Sequence, residues 1–394
     1  MVYLSIIIFV NLLSYLSSIY LSKELSVNTY GDIVLLITMS SFISTISLLG
    51  RSELTLRNIS QNKDNAKISS ILSSLLFSAL LIAIYAISNK YSNEDFVVLL
   101  ILSFITVTAA FTSAILKFKS KAITLGLLQK VNNTYKVIVF LIVAFGIEEG
   151  NVLYLSVFFL LIVYFVFFSY HFLIDCRGVY FFNVKNIRLY EKKAMPFFID
   201  GMAFLLYYQS ALLIFGYLDL KYELAVYSLA LLPVSAYALV FNAYFNSLVL
   251  SKFYKLANES NCKSINFLVK NIKVQLFSLP IIIATYLFLT LLLFERLFDV
   301  SKYPDLIKLS SFLVFIVVIK FFTSSLNMFM NLEENIYKKN VICIFAGVGN
   351  GIAALVLINI FGLYGAMYAS IMAELFILVS YAYLFMKKLR QFHG

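Results

Sequence analysis

Tryptophan is absent from this chain, histidine occurs twice, proline four times, and charged residues supply only 13% of the sequence. Charge this scarce excludes an ordinary soluble domain, where about a quarter of residues are charged, and excludes a disordered one as well. With two histidines there is little material for imidazole chemistry, and no Ser-His-Asp, zinc-ligand or paired-carboxylate arrangement can be assembled. No Walker A sequence occurs, so the chain itself does not hydrolyse ATP. Neither a cofactor nor a metal is expected. The three cysteines, Cys176, Cys262 and Cys343, are odd in number, and the first two fall in loops read as cytoplasmic, which excludes a disulfide framework. Without tryptophan, any aromatic belt at a membrane surface must be built from tyrosine.

What remains is apolar: 62% of the 394 residues, with a mean hydropathy of +0.92. A bilayer core about 30 Å thick needs roughly 20 apolar residues per helix. Stretches almost free of charge occur near 3–21, 32–50, 68–88, 96–116, 122–147, 152–173, 196–217, 224–249, 274–294, 308–330, 340–361 and 364–386. Twelve transmembrane helices are therefore expected, the last two split where Gly362 and Gly365 interrupt the run. The first stretch lacks a basic leader and an A-x-A-like site, so it reads as a retained helix. Loop charges test the count independently, because lysine and arginine collect on the cytoplasmic side. Alternate loops hold 22 basic residues on one side and 5 on the other. That partition places both termini in the cytoplasm and accounts for the net charge of +11 by orientation and contact with anionic lipid, not nucleic acid.

The connectors are short, averaging about a dozen residues once twelve helices of the length a bilayer needs are set aside, so no loop holds a soluble domain. Two motif pairs sit at corresponding places in the two halves. Tyr30-Gly31 opens the second span and Tyr227 to Pro233 lies in the eighth, while Phe145-Gly146 ends the fifth and Phe361-Gly362 the eleventh. The expected architecture is all-α: a polytopic membrane protein of two related six-helix bundles, 1–190 and 191–394, around a central cavity.

An ionisable residue near the bilayer centre costs about 2.5–3.5 kcal/mol on insertion scales, so it normally faces protein or water. Five charged residues lie clear of the span ends: Lys130, Lys136, Asp200, Lys320 and Glu374. Helical spacing aligns Gln129, Asn132, Asn133 and Lys136 as a polar stripe on the fifth span, and Lys320, Thr323, Ser324, Asn327 and Asn331 on the tenth. A third stripe, Asn11, Ser14, Tyr15 and Ser18, runs along the first. Uncharged polar stripes also serve as packing between helices. Lys130 and Lys136 lie about 120° apart around their helix, so one of them snorkels instead of sharing the other's cavity. Asp200 is either a salt-bridge or first-turn residue or part of transport; Glu374 is either a partner for a lysine or a carboxylate for a coupling cation. Gly347-x-Gly349-x-Gly351 reads as close helix packing, since no strand precedes it.

Tyr30-Gly31, Gly50-Arg51, Tyr227 to Pro233, Ser251-Lys252-x-Tyr254 and Phe361-Gly362-x-x-Gly365-Ala366 leading to Glu374 occur in an order and spacing that resembles the Wzx-type polysaccharide flippases of the MATE/MOP exporter superfamily over nearly the full length. The resemblance implies movement of an undecaprenyl-diphosphate-linked oligosaccharide, such as an O-antigen repeat unit, across a bacterial inner membrane by alternating access. It also implies a cationic lumen, carried here to Lys130, Lys136 and Lys320, with Gln129, Asn132, Asn133, Asn327, Asn11 and Arg51 as further lining residues. A polysaccharide polymerase and a chain-length regulator enter as candidate partners beside the lipid bilayer. The spans hold few arginines, so lysine must attract phosphate without bidentate geometry. The rival readings are the membrane polymerase, which should carry a large outer loop, and a multidrug exporter of the same fold, which should favour an acidic aromatic cavity.

Overall fold

Small polar side chains share the inward faces of the helices with apolar ones, and in one helix they replace leucine there. In the helix Ile68–Asn89, Ser74 and Ser78 are fully buried while Leu72, Leu76, Leu80 and Ile84, spaced four apart, lie exposed along one stripe. In water this pattern would be inside out; in lipid it is expected, because serine lets helices approach and leucine solvates well in acyl chains. The structure, a computed structural model, describes residues 2–60, 66–89, 93–118, 131–147, 149–174, 180–181, 187–245, 249–332 and 334–393. It is a helical, polytopic membrane protein. Among the described residues, seven helices are long and apolar enough to cross a membrane, or eight with the bent pair Lys192–Ala203 and Leu205–Tyr217, and three shorter apolar helices accompany them. The described residues thus carry seven or eight full-length spans of the twelve expected.

The chain separates into two compact units, Met1–Met202 and Ala203–Gly394. The first contains α1 (Val2–Glu24), α2 (Val27–Leu48), α3 (Arg51–Ser60), α4 (Ile68–Asn89), α5 (Asn93–Phe118), α6 (Val131–Ala144), α7 (Glu149–Ile174) and the start of α8 (Ile187–Tyr217). Here α2 packs on α4 and α5, α1 on α6, and α7 on α5 and α6. One two-residue parallel bridge joins Ala66-Lys67 to Tyr180-Phe181. Ser26 caps α2 by accepting from the Thr29 amide at 3.2 Å, and Glu149, at the start of α7, accepts from the Ser26 amide and the Thr29 hydroxyl. At the other end of α2 the chain turns through Leu49 and Gly50, both at positive φ. Gly50 is required there twice over: its φ is +71°, and a Cβ would lie 2.5 Å from the Ala194 carbonyl oxygen and the Phe198 amide of α8.

The second unit contains the rest of α8, then α9 (Lys221–Tyr244), α10 (Leu250–Glu259), α11 (Asn261–Phe288), α12 (Phe294–Leu297), α13 (Leu306–Phe312), α14 (Val314–Met330), α15 (Ile336–Phe361) and α16 (Leu363–His393), with a π-helical turn between α11 and α12. Here α9 packs on α13 and α14, α11 on α14, and α16 on α14 and α15. The break between α15 and α16 falls at Gly362, φ +55°. Between α12 and α13 the chain needs only a short turn, in which the Ser301 hydroxyl donates to Asp299 and holds its carboxyl below the usual range. Asp305 accepts from Tyr222 of α9 and Tyr364 of α16.

Two elements read only as charged loop in the sequence are helices. The segments α3 and α10 follow the second span of their respective units, and both set an apolar face against charged residues. Such helices lie along a membrane surface instead of crossing it. In α3, Leu54 packs with Ala194 and Phe197 of α8.

Candidate functional site

In the first unit the polar stripes of α1 and α6 face each other. Asn133 donates to Asn11 Oδ1 at 2.9 Å, and the Lys136 ammonium donates to Ser18 Oγ at 3.3 Å, whose own proton goes to the Ser14 carbonyl. Asn132 reaches a third helix, donating to Ser41 of α2 at 2.5 Å. The pairing follows from spacing: Asn11 and Ser18 are seven residues apart on α1, Asn133 and Lys136 three apart on α6, so each pair shares a helix face. Lys136 lies eight residues from the end of α6, about 12 Å at the helical rise, which puts its charge near mid-depth. It is half-buried, and among the described residues no carboxylate lies within ion-pair reach of it. Asn132 Oδ1 is buried and has no hydrogen-bond partner among the described residues.

The second unit treats its lysine differently. Lys320 of α14 forms an ion pair with Glu374 of α16, whose side chain is 5% exposed. Its ammonium also donates to the Tyr208 hydroxyl at 2.7 Å and lies over two rings of α8, 5.2 Å from the centroid of Tyr207 and 4.5 Å from that of Tyr208. The two rings meet edge to face at 4.7 Å. The Tyr207 hydroxyl points toward the Glu374 carboxylate without closing a hydrogen bond of good geometry. On the far side, Tyr227 of α9 shares a hydrogen bond of 2.8 Å with Ser370, one turn before Glu374. Together these residues with Leu231, Val234 and Ile316 enclose a cavity of about 40 Å³. A lysine so placed has each of its stabilising contacts supplied by the protein: one full countercharge, one hydroxyl and two aromatic faces.

The other expected residues fall as follows. Asn327 lies half-buried on α14, two turns from Lys320. Arg51 is buried at the start of α3, where its guanidinium donates to Ser74 of α4 at 2.8 Å, tying the surface helix to the span. Asp200 falls within α8, but its side chain lies outside the described residues, as do Lys130 and Gln129 entirely. Of the three glycines in α15, only Gly347 is a packing glycine, its Cβ position 2.8 Å from the Ala203 carbonyl; Gly349 and Gly351 face open space.

Sequence reasoning passed over Tyr207, Tyr208 and Asn350, and read Tyr227 only as part of a motif. Tyrosine was assigned to interfacial belts, yet Tyr208 sits some twelve residues inside its span, too deep for a belt. Depth was the signal available. Asn350 lies between Gly349 and Gly351 and donates to the Tyr207 carbonyl at 2.8 Å and to Ser210 at 3.0 Å, fixing the helix that carries both rings.

Residues 1–251 match the family described as polysaccharide biosynthesis protein. No curated protein matches the chain in sequence. Among solved structures, lipid II flippase MurJ in an inward closed conformation aligns with 97% of this chain and 87% of its own at a TM-score of 0.64 and 15% identity. An inward-facing multidrug resistance MATE family transporter of the MOP superfamily aligns over 98% and 97% at 0.56 and 14% identity. An outward-facing one aligns over 99% and 96% at 0.50 and 13% identity. At these identities the likeness carries the fold, which is that of MOP-type membrane transporters.

Proposed function

The chain belongs to the polysaccharide biosynthesis protein family, and from that premise we propose that it is a flippase moving an undecaprenyl-diphosphate-linked oligosaccharide across the bacterial inner membrane. The observation that carries the reading is the seam between α1 and α6, where Lys136 presents a positive charge at mid-depth held by a single serine hydroxyl. An anionic diphosphate is attracted by such a charge, and the amides of Asn11, Asn132 and Asn133 offer the mixed donors and acceptors that sugar hydroxyls need. Asn132 Oδ1, which has no hydrogen-bond partner among the described residues, is an acceptor for a sugar hydroxyl or for water. The head group crosses through polar surroundings while the polyprenyl tail stays in lipid. Neighbours of the same fold in inward-facing and outward-facing forms support alternating access as the mechanism. A coupling cation acts at Glu374 or Asp200, and the polymerase and chain-length regulator receive the product.

A cation-exporting multidrug transporter is the weaker reading, because Glu374 already has a lysine as its countercharge. A polymerase is weaker too, since the outer connection between α12 and α13 is a short turn. In the host, replacing both Lys136 and Lys320 by glutamine should abolish surface polysaccharide and leave complete lipid-linked units on the cytoplasmic leaflet, with membrane insertion intact. Normal export in that variant overturns the proposal.

A further inference from the structure

Toward the basic end of the hairpin formed by α15 and α16, the two helices part and leave a cleft of about 490 Å³ between them. It is lined by Tyr337, Lys338 and Val341 of α15 and by Val379, Ser380 and Tyr383 of α16. We propose that this cleft is a binding site for an anionic phospholipid, with the phosphate held at Lys338 and the start of an acyl chain lying between the helices. The site is separate from both buried lysines and does not depend on what the chain carries across the membrane.

The cleft follows from how α16 is seated. Near the turn at Gly362 the two helices lie so close that a Cβ on Gly365 would strike the Leu357 carbonyl. At the other end, the inner face of α16 is committed elsewhere: Phe385 meets the ring of Phe329 on α14, with centroids 5.5 Å apart, and the buried Tyr381 lies 3.4 Å from Cys343. The outer edge of the pair, with only the small Ser380 to fill it, stays open. Tyr337, Val379 and Tyr383 on its walls are 78%, 64% and 61% exposed. Helical spacing puts Phe345 and Val348 on the face of Val341, and Phe376 on the face of Val379 and Tyr383, and all three are exposed as well. The cleft therefore opens onto an apolar surface that, in a membrane protein, faces acyl chains. Its volume falls within the roughly 300–1,000 Å³ usual for ligand sites.

Charge selects the kind of lipid. Lys338, Lys339, Lys387, Lys388 and Arg390 gather at this end of the hairpin, which the loop-charge rule turns toward the anionic cytoplasmic leaflet. Lys388 pairs with Glu334 at 3.1 Å, and Lys339 donates to Asn331 at 2.8 Å. Lys338 is exposed, lines the cleft and has no hydrogen-bond or ion-pair partner among the described residues. Its stem lies along the apolar wall while its ammonium reaches the level of the head groups. The positive end of the α15 macrodipole adds to the attraction for phosphate. A zwitterionic lipid would bring an ammonium of its own beside these cations, and an anionic one would not. Along the helix the cleft runs from Tyr337 to Ile342, about 8 Å, against about 15 Å for half a bilayer core. It thus takes the upper part of one acyl chain and leaves the tail in the bilayer.

The test uses the full chain in lipid nanodiscs containing phosphatidylglycerol or phosphatidylcholine with a photoreactive diazirine near the head of one acyl chain, and crosslinked residues are mapped by mass spectrometry. At equal mole fraction, phosphatidylglycerol should label residues 337–342 and 379–384 about fivefold more than phosphatidylcholine, the preference expected from one lysine beside an anionic phosphate. Lys338→Gln should remove that preference, and Lys339→Gln, whose lysine is already held by Asn331, should keep it. Ser380→Phe fills the cleft without changing any charge and should abolish labelling there by both lipids, with labelling elsewhere unchanged. Ser380→Leu does the same with a smaller side chain and serves if the phenylalanine variant does not fold. Equal labelling by the two lipids overturns the inference, as does full preference in Lys338→Gln or cleft labelling that survives both fillings, since each would mean ordinary surrounding lipid. Displacement of the probe by undecaprenyl phosphate more strongly than by unlabelled phosphatidylglycerol also overturns it, and would assign the cleft to a polyprenyl chain.

Discussion

Each unit buries one described lysine near the middle of the membrane, and the two are held by opposite means. In the first, Lys136 meets a serine hydroxyl and a row of amides on α1 and α6; in the second, Lys320 meets a carboxylate and two tyrosine rings. A cation with no countercharge among the described residues is costly to keep in low dielectric, whereas a paired cation explains itself structurally. The same residue type at similar depth therefore supports two different inferences, and the difference lies in what the neighbouring helix brings.

The sharpest way to break this comparison is to remove one lysine at a time. Lys320→Leu strands a buried carboxylate and should lower stability by about 3–5 kcal/mol, with Lys320→Leu/Glu374→Leu recovering most of it. Lys136→Leu removes only a desolvated charge and one hydrogen bond, so it should leave the melting temperature in detergent nearly unchanged or raise it. Equal losses in the two single variants would show that Lys136 also has a structural partner. Next in size, Gly50→Ala forces a Cβ against the backbone of α8 at a positive φ and should cost about 1–3 kcal/mol. Because Gly50 and its neighbours Ala194 and Phe198 all belong to the first unit, hydrogen exchange should show loosening of α2 and α3 while α14 and α16 keep their protection. Uniform loosening would mean that the units do not open separately. The smallest effect is the Asn11–Asn133 bond, for which a double-mutant cycle to alanine should give a coupling of about 0.6 kcal/mol, typical of hydrogen bonds between membrane helices. A coupling near zero would mean that the two stripes face each other without cooperating.

Much of this was legible in the sequence, and the parts that were not share a cause. The stripes on α1 and α6 could be read because helical spacing fixes which residues share a face, and Asn11, Ser18, Asn133 and Lys136 meet across the two helices accordingly. The stop at Gly362 was legible because two glycines interrupt an apolar run. Spacing within one helix says nothing about which helix lies opposite. Lys320 and Glu374 could each be flagged as a membrane charge, but their pairing joins residues 54 positions apart and needs α14 and α16 to be neighbours. Tyr207 and Tyr208 were hidden for a related reason: tyrosine serves equally well as belt, packing or cation partner, and only its depth and company decide. The surface helices α3 and α10 were missed because their basic residues were spent on fixing orientation, and a charged decapeptide carries no span signal.

The carboxylates at the helix starts carry a consequence for kinship. Glu149 ties the beginnings of α2 and α7 through a serine amide and a threonine hydroxyl; Asp305 ties the beginnings of α9 and α16 through two phenols. The second and last spans of each unit are laced together at the same level by an acid, yet no residue of one lacing matches its counterpart in the other. A position-by-position alignment of the halves would score these places as unrelated. What the two units have in common here is which helix starts an acid joins, and not which residues do the joining.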